Sequence, residues 1–339
     1  MLFRSVNIRG LAIGRFPGAG VRVATGSASV LLEQNHVGTD ATGTVARANG
    51  QGGVAVVGAS GVTIGSAGKG NVISGNTGAG IAVSASSSSV TIRANRIGVP
   101  AGATTALANS GAGVSVVSST GVTIGGTAGG TGNVIARNGA QGVTTDAGAD
   151  NVSVVGNSIF ANGGVGLDLA GNGVTANDAG DLDSGPNGLL NFPVITAAVA
   201  APSAEVTFTF DGPVGTYRME FFTSSAKDPS NYGEGETFKA ATTVVKTTTG
   251  SSTSTITLPS TYAGAFVTAL AHFDGGGGSY TKTSEFSAVY TVTGCVGDAD
   301  ADDLCDTEED LNGDARSEEH TSELQSLAYL VCRLLLEKK

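Results

Sequence analysis

The densest chemistry in the chain is a run of carboxylates, Asp298-Ala-Asp300-Ala-Asp302-Asp-Leu304-Cys-Asp306-Thr-Glu-Glu309. Acidic side chains fall at positions 1, 3, 5, 9 and 12 of this run, with the Leu304 carbonyl at position 7. Those are the positions from which a calcium loop draws its hard oxygens. Asp298, Asp300, Asp302, Leu304, Asp306 and Glu309 are therefore the expected calcium ligands, and calcium is the expected structural cofactor. Position 6 is Asp303, where Gly normally makes the sharp turn. Asp tolerates left-handed geometry better than most residues, so the loop should be weakened but not lost. Asp310-Leu-Asn312-Gly-Asp314 begins a second loop. The plain alternative is a solvated acidic linker. Cys295 precedes the first loop and Cys305 lies within it, and the two could pair in an oxidising compartment.

A second polar concentration lies between Gly166 and Val194 and holds Asp168, Asp178, Asp181 and Asp183 with Asn172, Asn177 and Asn187. Two readings stand side by side. Asx side chains can satisfy their own turns and cap an exposed core. Asp178, Asp181 and Asp183 can also offer oxygens to calcium, although their spacing matches no standard loop. Further on, Glu234 and Glu236 could offer oxygens to a metal but read more simply as a solvated loop, and His272 reads as an outward residue on its strand, without a His or Cys nearby.

Catalytic sets are missing from the first half. Between Val6 and Phe160 the acids are Glu33, Asp40, Asp146 and Asp150. The two pairs belong to coils that should stand about 14 Å apart, too far for a glycosidase pair. His36 reads as a turn residue. The Gly-x-Gly stretches recur at bends and do not sit between a strand and a helix, so a dinucleotide site is excluded.

The elements that carry these residues follow from composition. The chain has 339 residues, 53 of them Gly, only 14% charged, and a net charge of −11. Abundant Gly, Ala, Val, Ser and Thr predict all-β structure. Val296–Ala315 holds nine acids and no base, while Val6–Phe160 holds eight bases against four acids. The acidic balance therefore belongs to the tail and speaks for calcium. It disfavours nucleic acid as a partner. No apolar run is long enough for a membrane span.

Repeats organise the first half. A Val-x-Ile-like triplet starts at Val6, Val30, Val62, Val90, Val122 and Val152. A second strand follows a Gly at Val21, Val54, Ile81, Val114, Val143 and Leu167. Val30 to Val90 and Val62 to Val122 are each 60 residues apart, so the repeat is a pair of turns. Stacking such turns merges their Val and Ile rows into one core. Asn35, Asn95 and Asn157 recur after their triplets, and Asn71 and Asn133 recur in Asn-Val-Ile; stacked amides can bond along the axis.

Asn-Val-Ile-Ser-Gly-Asn (71–76), Asn-Arg-Ile-Gly (95–98) and Val-Gly-Thr-Asp-Ala-Thr-Gly-Thr (37–44) resemble right-handed parallel β-helix repeat proteins of bacterial surfaces. The resemblance covers about Val6 to Leu169. It implies a fold shared with pectate lyases, which is an analogy of fold and not of function. Asp228-Pro-Ser-Asn-Tyr-Gly-Glu-Gly-Glu-Thr-Phe238 and Thr283-Ser-Glu-Phe286 resemble the immunoglobulin-like module that follows such helices. Alternating runs at Val206–Phe210, Tyr217–Phe222, Ala240–Val245, Thr255–Leu258, Phe266–Phe273 and Ala288–Val292 fit a sandwich. The Asp298–Glu309 run resembles the calcium repeats of thrombospondin type three.

The expected fold is all-β: a right-handed parallel β-helix over 6–169, an acidic capping or linking segment over 170–194, a small immunoglobulin-like β-sandwich over 195–294 and a calcium loop over 295–315. Residues 1–5 and 316–339 resemble translated sequencing adapter, because Arg316–Glu319 and Leu2–Ser5 can be written as reverse complements. No signal-peptide pattern follows Met1, so the remainder is expected to be a piece of a secreted or surface protein. The resemblance implies a structural, adhesive or glycan-binding role, with a surface polysaccharide or another surface protein as partner. The rival expectation is a polysaccharide lyase or glycoside hydrolase whose catalytic coils lie outside this piece.

Overall fold

A computed structural model describes residues 5–294, apart from 28, 147, 201 and 202. Six coils stack along one axis, and each contributes one strand to each of three parallel six-stranded sheets. The first sheet contains Val6–Arg9, Val30–Glu33, Ser60–Ile64, Ser88–Ile92, Thr120–Gly125 and Asp150–Val155. The third runs from Val21–Ala24 through Val54–Val57, Ile81–Ser84, Val114–Val116 and Val143–Thr145 to Leu167–Asp168. Between them lies a sheet of two- or three-residue strands, including Val72–Ile73, Arg96–Ile97 and Ser158–Phe160. Reading the sequence placed two strands in each coil, and this short third strand is the addition. Runs of two residues are too brief to show alternation.

Register is strict. Val30 pairs with Val62, Val62 with Val90, Val90 with Val122 and Val122 with Val152, so 60 residues make two coils. Val62, Ile64, Val90, Ile92, Val122 and Ile124 are wholly buried in one continuous core. Each such side chain stabilises the stack by about 1.5–3 kcal/mol.

Two files of asparagine run beside this core. In the first, Asn35, Asn71, Asn95 and Asn133 each donate backbone N and side-chain Nδ2 to the Oδ1 of the next, ending at Asn157. In the second, Asn49, Asn76, Asn109 and Asn138 each donate Nδ2 to the next Oδ1, ending at Asn162. Each Nδ2 also donates to a carbonyl of the coil behind, as Asn95 does to Ile64 at 2.7 Å. An amide suits this place because it both donates and accepts. Glycine makes the close approach possible. At Gly98, with φ of +86°, an added Cβ would lie 2.1 Å from the Ala136 carbonyl and 2.6 Å from Asn138 Oδ1.

Beyond the last coil the chain builds two antiparallel sheets. One holds Val194–Ala200, Ala204–Asp211 and Ser251–Leu258, and the other holds Thr237–Lys246, Gly215–Ser224, Phe266–Asp274, Tyr280–Thr283 and Tyr290–Thr291. Val206, Phe208, Met219, Phe221, Val267 and Ala269 fill the space between them. This is a β-sandwich. Val194–Ala200 escaped prediction because its alanines weaken the strand signal, and Tyr280–Thr283 because it is short and follows a glycine run. No helix among the described residues is long and apolar enough to cross a membrane.

Candidate functional site

The last coil presents a problem that every parallel stack shares: its outer edge carries N–H groups with no further coil to accept them. Here the sandwich and the segment before it supply the acceptors. Along the first sheet, Val152 N donates to Asn187 Oδ1 and Val154 N to Thr283 Oγ1, both at 2.8 Å, and Gly156 N donates to Glu220 Oε2 at 3.0 Å. Along the short sheet, Ile159 N donates to the Gly235 carbonyl at 2.8 Å, and Ala161 N donates to Glu234 Oε2. Beyond the third sheet, Leu169 N and Thr175 N donate to the two oxygens of Glu285, each at 2.7 Å. Phe222, Leu270 and Phe286 of the sandwich complete the seal by entering the helix core.

Glu234 has a more specific part. Its Oε1 accepts both N and Nδ2 of Asn162 at 3.0 Å, the same two donors that Asn49, Asn76 and Asn138 give to their successors in that file. The carboxylate takes the place of the next amide. It accepts but donates nothing, so the file ends there. Glu234 is therefore a buried cap, where a solvated loop residue was expected. The expectation failed because the donors that hold it come from the helix, some 70 residues away.

The charge of the seam is uneven. Burial pushes Glu285 up to about 7, against the Thr175 and Leu169 N–H groups, and Glu234 up to about 6, against those of Asn162 and Ala161. Glu220 is different. Burial raises it, but the electrostatic pull of His272, the Gly156 N–H and Arg218 outweigh burial and hold it well below the usual carboxylate range. His272 is wholly buried, where an outward residue was expected; its Nε2 lies 3.3 Å from Glu220 Oε2 and its Nδ1 3.0 Å from Thr283 Oγ1. Both faces of its sheet are covered, one by the other sheet and one by the helix end, so alternation could not report exposure. Glu220 was not singled out from sequence, and Glu285 appeared only inside a motif.

The acidic segment folds into a tight group. One oxygen from each of Asp178, Asp181 and Asp183 lies within 4.8 Å of the others. Asp178 accepts from Leu182 N at 3.0 Å and Asp181 Oδ1 from Asn191 N at 2.8 Å, so both readings of these residues have a physical basis. Asp183 Oδ1 is buried without a partner, and so is Oδ1 of Asp211. Burial, then the charges of Asp183, Asp178 and Asp211, push Asp181 up to about 6; burial and Asp178 raise Asp183. Asp211 comes from the sandwich, and nothing in its local sequence pointed to the cluster. Converging oxygens short of donors fit a hard divalent cation. Asp298, Asp300, Asp302, Leu304, Asp306 and Glu309 lie outside the described residues.

Acids on the helix itself are already engaged. Arg9 and Ser66 hold Glu33; Thr42, Thr44 and Val45 hold Asp40. Asp146 accepts from Ser118 N at 2.7 Å, and Asp150 lies 3.4 Å from Lys282 Nζ.

No curated protein matches the chain. A family model, described as the right handed beta helix region, matches residues 3–178, more than half of the sequence. With three parallel sheets stacked coil on coil over the same span, the chain belongs to the right-handed β-helix family.

Proposed function

We propose that this chain is part of a secreted or cell-surface bacterial protein in which the β-helix is a scaffold with an adhesive or glycan-binding role, and not a catalyst. The observation that carries this reading is the engagement of Glu33, Asp40, Asp146 and Asp150 by neighbouring donors, which leaves no pair among these four acids of the coils free for acid–base work. The sandwich serves as an immunoglobulin-like module that closes the helix. Calcium stiffens the C-terminal stalk through Asp298–Glu309, and a second ion sits among Asp178, Asp181 and Asp183. Bound there, the ion would neutralise carboxylates that burial leaves short of donors.

The test is to incubate the full chain with a panel of surface and plant polysaccharides and score both binding and new reducing or unsaturated ends. Saturable binding without cleavage is the expected result. Cleavage would favour a lyase or hydrolase instead.

A further inference from the structure

Where the sandwich overhangs the helix, it leaves a groove of about 220 Å³ beside the first sheet. Its walls include Arg93, Thr123, Thr127, Ser153, Ser279 and Tyr280. Arg93 follows the strand of coil 4, Thr123 and Thr127 belong to coil 5, and Ser153 to coil 6. Ser279 and Tyr280 come from the hairpin between Phe266–Asp274 and Tyr280–Thr283. The groove thus runs along the helix axis across coils spaced about 4.8 Å apart and meets an aromatic ring at its end. Thr123 and Ser153 close an in-register row that begins Asn7 and Leu31 and continues through Thr63 and Thr91, so from Thr63 a track of hydroxyls leads towards it.

Its chemistry is one-sided. Among the described residues, Arg93 is the only charged one in the lining, and no carboxylate lines the groove with it. Arg93 Nε donates to the Gly125 carbonyl at 3.1 Å, which fixes the planar head. The two terminal nitrogens make no hydrogen bond or ion pair among the described residues. A fixed guanidinium beside hydroxyls is a set built to receive an oxyanion in two-pronged fashion. The Tyr280 ring is held by Arg218, 5.8 Å from its centroid, and by His272 at 6.0 Å, so its position is set before any ligand arrives. A few precisely placed polar groups give a small-ligand site its selectivity, and here Arg93 and the surrounding hydroxyls are those groups. The mild basic excess of the helix favours an anion locally, despite the overall −11.

We propose that this groove binds an acidic saccharide. Its carboxylate or sulfate ester lies on Arg93, sugar hydroxyls meet Thr123, Thr127 and Ser153, and a ring face packs on Tyr280. This rests on the glycan-binding reading above and adds to it a site and a charge.

Calorimetry on the full chain, with chelator present to silence any calcium site, would use three tetrasaccharides: glucuronate-bearing, sulfated without carboxylate, and neutral. At least one acidic probe should bind saturably, and the neutral one at least tenfold more weakly. Arg93→Gln should weaken the acidic probe by about tenfold or more, as loss of a charge-assisted pair does. Thr127→Trp, at an exposed lip, should block the groove while Arg93 stays in place. Both variants should melt as the parent does. Equal binding of the neutral probe overturns the proposal. So does acidic binding that survives both substitutions, which would put the glycan elsewhere and leave the broader reading standing. Failure of every glycan to bind removes both.

Discussion

The interior of the β-helix and its capped end solve the same problem with different side chains. Inside, the two files beside the core are built of asparagine amides, as in the one from Asn49 to Asn162. At the seam three carboxylates, Glu220, Glu234 and Glu285, join Asn187, Thr283 and the Gly235 carbonyl as acceptors. An amide passes the hydrogen-bond pattern on, because it accepts from behind and donates ahead. A carboxylate only accepts, so it stops the pattern. In the file from Asn49 to Asn162, propagation and termination therefore differ in one chemical respect, NH₂ against the O⁻ of Glu234. The seam also carries a cost the files do not, since a buried charge must be compensated or neutralised.

The largest effect should come from interrupting a file in the middle. Asn95→Leu strands the Asn71 N and Nδ2 donors, and two buried orphans should cost about 3–5 kcal/mol in denaturant unfolding. That loss should not vary with pH.

The seam should behave in the opposite way. Glu285 and Glu234 are raised in the folded state, so their contribution is fully present below their unfolded values near pH 4.5. It is lost as pH rises through about 6 for Glu234 and about 7 for Glu285. In chelator, stability should fall by about 2–4 kcal/mol between pH 4.5 and 7.5, and Glu285→Gln should flatten much of that slope. A pH-independent melting curve would erase the proposed difference between file and seam.

Calcium sharpens the contrast from another side. At about a hundredfold excess over its dissociation constant, a bound ion should add about 2.7 kcal/mol. Asp181→Asn should remove the part due to the cluster while leaving Asn95→Leu as damaging as before. The smallest expected effect is Glu234→Gln, which keeps an acceptor for Asn162 but offers Ala161 an NH₂ in place of oxygen; about 1–2 kcal/mol is expected.

Much of this architecture was legible in the residues. The triplets repeat locally, so coil number and core rows follow from Val30, Val62, Val90, Val122 and Val152. The first asparagine file was visible because Asn71 and Asn133 sit in the same tripeptide. The second was not, since its gaps of 27, 33, 29 and 24 residues follow no period. The seam was hidden for a stronger reason. Glu220, Glu234 and Glu285 act on donors 64, 73 and 116 residues away, and nothing in their own segments repeats. Termination happens once per helix, so it leaves no periodic trace. Asp211 came near Asp181 by the same kind of fold-dependent route.

The most direct test of termination by Glu234 is amide hydrogen exchange on the full chain and on Glu234→Leu. In the parent, Ala161, Asn162 and Leu169 should exchange as slowly as amides inside the stack. In the variant, Ala161 and Asn162 should lose about a hundredfold of protection, in line with loss of a charged acceptor, while Leu169 on Glu285 keeps its own. Unchanged exchange at Ala161 and Asn162 would contradict the assignment of Glu234 as the end of the file.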